Sequence, residues 1–231
     1  MLARYSRNVS TLSDLENSSL KDYSVCVIGC GGLGGYVIEM LGRLGIGHII
    51  AVDGDVFEES NLNRQILSSS DTLGVKKAIK AKERMEKVNP LIKVDAIVER
   101  LTNSNGNSII KGAKVVVDAL DNIETRLILE KLCEEENIPL VHGAIAGWYG
   151  QVTTVLPGDK TLSSLYGGKA MVGIEKKLGN PSFTPGLVAS IQVSEVVKLI
   201  IGRGEILRNK LLIIDLLEQE YEVVELKSTE N

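Results

Sequence analysis

The chain has 231 residues, 44 % of them hydrophobic and 24 % charged, a balance that suits one large α/β domain with a full core better than two small ones. Its 26 basic and 30 acidic residues leave a formal net charge of −4 with both signs spread along the chain. No basic stripe points to nucleic acid, so a small molecule or another protein is the expected partner. The three cysteines, Cys26, Cys30 and Cys133, are too few and too scattered for a disulfide framework and form no C-x-x-C pair for zinc. Cys26 and Cys133 are expected as small buried hydrophobes. The opening MLARYSRNVS lacks the apolar core of a signal peptide. The longest apolar helical pattern, residues 187–201, is interrupted by Ser190, Gln192, Ser194, Glu195 and Lys198, which favours a buried helix over a membrane span. A cytoplasmic protein with no membrane partner is the expectation.

Residues 1–22 are polar, with Arg4, Tyr5 and Arg7 ahead of a stretch rich in Ser, Asp and Asn, and read as an arm or a short helix. Residues 25–28 read as a buried strand, and Gly29, Gly31 and Gly34 follow as G-x-G-x-x-G, with Gly32 inside the turn. A helical pattern and a second strand over residues 48–52 lead to Asp53. Strand, glycine turn, helix and an acid about twenty residues on form a nucleotide-binding fingerprint. Glycines let the backbone approach a phosphate, the helix amino terminus offers unpaired N–H groups, and Asp53 can accept from ribose hydroxyls. The blander reading is a glycine turn that only packs a helix on a strand.

Residues 56–70 are polar for a connection in such a fold and read as a functional loop. Residues 74–88 form a basic helical pattern stopped by Asn89-Pro90, its charges mostly a solvated face. A strand over 92–98, a loop over 103–107 and a strand over 113–117 ending at Asp118 come next. Asp121-Asn122 opens a helix to about Glu135, and residues 139–142 are the next strand. This alternation predicts a Rossmann-like, doubly wound, mostly parallel sheet. Ligands in such sheets lie outside the carboxyl ends of the strands, where Asp53, Asp118, Asp121 and His142 fall. For His142 a hydrogen-bonded structural role is favoured over a functional one.

Residues 151–156 read as a strand, and residues 157–183 hold no long element and are a candidate lid or crossover. Thr184-Pro185 caps a helix that ends at Gly202, and residues 211–214 with 221–226 make a hairpin-like pair that extends the sheet with antiparallel strands. The last five residues, KSTEN, read as a solvated tail. The domain reading is therefore a single unit over 1–231, with an arm (1–22), a crossover loop (157–183) and a carboxyl-terminal helix and strands (184–226).

Two chemistries compete for the nucleotide site. Hydride transfer by an NAD-dependent oxidoreductase needs a proton donor near a second cleft, and His142 is the sole obvious candidate. Asn61, Asn63, Arg64 and Gln65, with Lys77 and Asp121, supply another toolkit: cations to clamp a polyphosphate and a carboxylate to hold Mg²⁺. A nucleotide-binding regulatory protein without turnover is a third reading. Taken singly, each of these side chains is an ordinary surface residue.

Together they resemble a known family. The glycine turn with Asp53, SNLNRQIL from Ser60, Gly74 with Lys77, VVVDALDN from Val115, GAIAGWYGQV from Gly143 and RYSRN from Arg4 are similar to the ThiF/MoeB/HesA adenylyltransferases, relatives of the ubiquitin-activating enzymes. The resemblance implies that ATP and Mg²⁺ are used to adenylate the carboxyl-terminal glycine of a small ubiquitin-like sulfur carrier ending in Gly-Gly, with release of pyrophosphate. It implies that Asp53 binds ribose, that the turn at Gly32 packs on the nucleotide, that Asn61, Arg64 and Lys77 contact phosphates, and that Asp121 binds Mg²⁺. In the same turn-and-loop set, Gly29, Gly31, Gly34, Asn63, Gln65 and Asn122 are assigned to the nucleotide site. It also implies that Arg7 reaches into the site of a neighbouring subunit, hence a homodimer. Many members hold zinc on two C-x-x-C pairs or carry a crossover cysteine. This chain has neither, so no zinc is expected, and the acyl-adenylate is expected to end its chemistry, with sulfur delivered by a separate donor protein.

Overall fold

The computed structural model describes residues 2–167 and 178–226. Its eight strands are β1 (Ser24–Ile28), β2 (His48–Val52), β3 (Lys93–Ile97), β4 (Val115–Asp118), β5 (Leu140–Ala146), β6 (Tyr149–Val155), β7 (Lys210–Asp215) and β8 (Glu220–Glu225). They form one sheet in the order β3-β2-β1-β4-β5-β6-β7-β8. The first five strands pair in parallel and the last three antiparallel. The strand order reverses between β1 and β4, and that switch point opens a crevice at the carboxyl ends of the strands.

The sheet is parallel where its strands are apolar on both faces, because crossover helices must cover both. In β1, Val25 and Val27 belong to one core cluster and Cys26 and Ile28 to the other, the period-2 alternation of a pleated strand. The first cluster packs the sheet against α2 (Gly32–Leu44), α3 (Lys77–Val88) and α7 (Phe183–Ile201). The second packs it against α4 (Gly106–Ile110), α5 (Ile123–Glu135) and α6 (Thr161–Tyr166). The result is a three-layer sandwich, with a short α1 (Asp14–Ser19) in the amino-terminal segment. Among the described residues α7 alone is long and apolar enough to cross a membrane, and half of it is buried inside the domain.

Several boundaries differ from the sequence reading. The basic helix begins at Lys77 and not at Gly74, because Gly74 takes φ +80° and Val56 bridges Lys76 just before the helix. Residues 103–107, read as a loop, run into α4. The strand read over 139–142 continues to Ala146, where it meets β6 through a tight turn at Gly147-Trp148. The last long helix opens at Phe183, and Thr184 does not cap it: its hydroxyl donates instead to the Gly147 carbonyl at 2.6 Å. The amino-terminal segment holds a 3-10 turn, Ala3–Asn8, ahead of α1. Residues 168–177 of the crossover and the KSTEN tail lie outside the described residues.

Candidate functional site

A cavity of about 720 Å³ opens where the parallel strands end, lined by the residues that follow β1, β2, β3 and β4 and by the amino-terminal turn of α2. Its glycines divide by what they touch. A Cβ on Gly29 would lie 2.6 Å from the Ala119 carbonyl oxygen, and one on Gly34 only 1.8 Å from the Gly29 carbonyl oxygen. These two let strand and helix pack backbone to backbone. A Cβ on Gly31 or Gly32 would find its nearest protein atom at 3.6 or 3.5 Å, so the fold tolerates one there. It would instead project into the cavity, which is the cradle a phosphate-bearing ligand needs.

Asp53 lines the cavity with both carboxylate oxygens already oriented: Oδ2 accepts from the Cys30 N–H and Oδ1 from the Asp55 N–H, each at 2.8 Å. Their remaining lone pairs can take ribose hydroxyls. Lys77 opens α3 at 8 % exposure and lines the cavity; its backbone N–H donates to the Asp55 carbonyl at 3.1 Å, while its ammonium makes no hydrogen bond or ion pair with any described residue. An ammonium without a protein partner on a mostly buried stem retains water or meets an anion, and the cavity wall leaves room for either.

The polar loop is built on an anchor. Phe57 is 1 % exposed, and its N–H and carbonyl bond Val75 and Gly74 at 3.0 and 2.8 Å, which closes the loop at its base. Asn61 is buried and holds the loop together: its Oδ1 accepts from the Glu58 N–H at 3.0 Å, and its carbonyl accepts from the Arg64 and Gln65 N–H groups. Asn63 donates to the Asn180 carbonyl at 3.1 Å. Neither Asn61 nor Asn63 lines the cavity; both place Arg64 and Gln65, which do. The Arg64 stem lies over Gly32, and its guanidinium donates to the Ser60 carbonyl and to Asn63 Oδ1. Gln65 is buried beside Gly31, and its Oε1 has no hydrogen-bond partner among the described residues. That orphaned acceptor suits a donor carried by a ligand.

Asp121 and Asn122 follow β4 and line the cavity. Asn122 caps α5 by accepting from the Thr125 N–H at 2.8 Å, which leaves the exposed Asp121 carboxylate at the mouth. Among the described residues no cluster of three or more His, Cys, Asp or Glu forms a metal cage. A single carboxylate beside a phosphate-sized cradle fits the needs of a magnesium ion that keeps water and shares phosphate oxygens.

His142 and Asp118 are both 0 % exposed and do not line the cavity. His142 Nδ1 lies 2.6 Å from Asp118 Oδ2, and its Nε2 meets the Tyr166 hydroxyl at 3.1 Å and Gln151 at 3.2 Å. Burial pushes the imidazole pKa down, against the opposing pull of Asp118. In its neutral form the ring donates from Nδ1 to the carboxylate. Asp118 Oδ1 in turn accepts from the Leu120 N–H at 2.9 Å, so the pair stiffens the turn that carries Asp121. All three cysteines are buried, and burial pushes each thiol well above its ordinary range.

Arg7 stands exposed on the Ala3–Asn8 turn and does not line this chain's own cavity. The turn is fastened next to the carboxyl end of α2, where the Tyr5 ring covers Gly45 and its hydroxyl accepts from Asn89 at 2.8 Å. Sequence reasoning missed Asp55, Arg126, Asn180 and the stretch 99–102 as lining residues. Arg126 could have been found, since it stands four residues after Asn122 on one helix face. Asp55 pairs with Arg100 at 2.8 Å, which lowers its carboxyl pKa.

The ThiF family profile matches residues 5–231. The SAMP-activating enzyme E1 of Haloferax volcanii is 36 % identical, over 96 % of this chain and 84 % of its own length. The molybdopterin-synthase adenylyltransferase of Salmonella typhimurium is 31 % identical, over 97 % of this chain and 92 % of its own. Among solved structures, E. coli MccB with MccA-N7isoASN superposes with a TM-score of 0.85 at 25 % identity, covering 98 % of this chain and 72 % of that one.

Proposed function

The chain belongs to the ThiF family, and from that footing we propose that it is an adenylyltransferase that activates the carboxyl-terminal glycine of a small ubiquitin-like sulfur carrier with ATP. The observation that carries the reading is the convergence of Gly31, Gly32, Asp53, Arg64, Lys77 and Asp121 on one cavity, together with the names of relatives such as the Salmonella typhimurium enzyme.

In this reading the first turn of α2 and the Gly31-Gly32 cradle receive phosphate oxygens, and Asp53 receives the ribose. A carrier carboxylate oxygen forms a bond to the α-phosphorus; the bond from that phosphorus to the bridging oxygen breaks, and the electron pair leaves with pyrophosphate. Arg64 and Lys77 offset the charge that builds on the phosphoryl oxygens, and the rest of catalysis is positioning. Asp121 would hold Mg²⁺, whose contribution when bound is to offset phosphate charge. No protein nucleophile enters, which agrees with three buried thiols. The acyl-adenylate is then the product handed on, and a separate protein donates sulfur. Cytoplasmic placement belongs to the same proposal.

The test is carrier-dependent exchange of labelled pyrophosphate into ATP. Asp121→Ala is expected to lower exchange by roughly 100-fold or more; exchange at the wild-type rate in that variant sinks the assignment. The proposal includes a homodimer in which Arg7 serves the partner's site. Mixing Arg7→Ala with Asp121→Ala protein should then restore part of the activity, because one of the two sites in each hybrid is whole. Verified hybrids with no activity would remove the shared site and leave the chemistry standing.

A further inference from the structure

No apolar burial holds the Ala3–Asn8 turn to the domain: none of its six residues is buried, and an isolated 3-10 segment of that length is unstable. Side-chain hydrogen bonds fix it instead, and their hub is Asn89, the residue that follows α3, at 2 % exposure. The Asn89 carboxamide uses all four of its bonding positions. Its Nδ2 donates to the Tyr5 hydroxyl at 2.8 Å and to the Gly42 carbonyl, in the last turn of α2, at 2.7 Å. Its Oδ1 accepts from the Arg4 guanidinium and from the Leu91 N–H. One buried amide thus ties the arm to the ends of two helices.

The far end of the turn is pinned in the same way. Asn8 donates to Asn17 Oδ1 at 3.0 Å and to the Leu44 carbonyl at 3.3 Å, and Ser6 donates to the Ala3 carbonyl at 2.8 Å. Of the polar side chains on the turn, Arg7 alone makes no hydrogen bond or ion pair with a described residue. It stands exposed between two half-buried neighbours, Tyr5 and Asn8. The i, i+3 spacing of a 3-10 turn puts those two on one side, toward the domain, and leaves Arg7 on another. A solvated terminus has no need of such fastening. Fixing every neighbour of one free cation sets the direction in which its side chain leaves, as a cation presented to a second molecule requires.

We infer that Asn89 and Tyr5 are positioning residues, which fix the arm so that Arg7 reaches the partner's cavity. Neither lines this chain's own cavity. The inference rests on the shared-site homodimer of the adenylyltransferase reading and adds to it the residues that aim the shared arginine.

Asn89→Ala also strips the Gly42 carbonyl of its donor, so the test uses Tyr5→Phe, which removes one hydroxyl and keeps the ring on Gly45. With a ubiquitin-like carrier ending in Gly-Gly, Tyr5→Phe is expected to lower kcat for pyrophosphate exchange roughly three- to ten-fold, the effect of one neutral hydrogen bond. Amide hydrogens over residues 3–8 should lose protection. In an Arg7→Ala background the same change should lower kcat no further. Two hybrid dimers then assign the effect to a subunit. Each pairs one Asp121→Ala subunit with one whole subunit, and Tyr5→Phe is placed on one or the other. Placed beside Asp121→Ala, it misdirects the arm that serves the one working site, and that hybrid should be the slower by the same factor. Equal rates for the two hybrids, the opposite order, a full loss that persists without Arg7, or unchanged protection of the arm would each overturn the positioning role and leave the shared site standing. If Arg7→Ala and Asp121→Ala subunits fail to complement each other, the shared site falls and the inference with it, while wild-type exchange keeps the enzyme reading intact. Absence of wild-type exchange across a panel of such carriers would bring down the reading and everything resting on it.

Discussion

The chain's two histidines are each bonded to an aspartate across neighbouring parallel strands, at opposite ends of the sheet. At the amino end, His48 Nε2 lies 2.8 Å from Asp95 and its Nδ1 3.1 Å from the Ser24 hydroxyl, a line of Ser, His and Asp with the spacing of a nucleophilic triad. Its side chains are open to water, His48 at 28 % and Asp95 at 42 % exposure, and Lys93 also neutralises Asp95. At the carboxyl end, His142 and Asp118 have no exposure at all and lie beneath the turn that bears Asp121. None of Ser24, His48 and Asp95 lines the cavity. Residue types in hydrogen-bond order do not make a site. The parallel strands and their glycine turn open a crevice at one end, and there the buried pair holds still a turn that lines it.

Stability measurements can break this contrast. The largest effect is expected at Gly34, whose added Cβ would sit 1.8 Å from a backbone oxygen that cannot move without dismantling the turn. Alanine gains about 1 kcal/mol of helix propensity over glycine, yet the overpacking should leave Gly34→Ala destabilised by about 3 kcal/mol, with nucleotide binding lost alongside. An unchanged urea midpoint would mean that the turn is not the rigid floor described.

His142→Leu comes next. It strips Asp118 of its closest donor and leaves a buried carboxylate with the Leu120 N–H and with Arg126 at 3.7 Å, a loss of about 2–3 kcal/mol. The substitution should also change the pH profile. The folded imidazole pKa lies below its ordinary value, so as pH falls below about 6.5 the unfolded chain takes up a proton that folded His142 refuses. Wild-type stability is therefore full above that pH and declines below it until the depressed folded pKa is passed. The variant should lack that part of the decline. At the other end of the sheet, His48→Gln should move stability by less than about 0.5 kcal/mol, as for an exposed pair. Equal effects for the two histidines would erase the distinction between the ends.

Much of the cavity's charged end was legible in the chain. Asp53, the glycines and Asp121 announce themselves because each sits a fixed few residues from the end of a strand, and strand ends follow from local apolar runs. Asn122 caps its helix as its type and place suggested. The roles within the polar loop were harder to read. Asn61 and Arg64 are three residues apart, yet one turns inward to tie the loop and the other faces the cavity, a choice set by where Phe57 and Gln65 are buried.

The sequence alone determined the succession of elements, the parallel half of the sheet and the family, because these depend on periodicity, turn chemistry and short motifs that neighbouring residues carry together. Tertiary structure decided that β5 runs on to pair antiparallel with β6, that residues 99–102 come to the cavity rim, and that Asn180 reaches it from 117 positions beyond Asn63. Those placements depend on contacts between segments far apart in the chain, whose geometry exists only once the sheet has closed the distance.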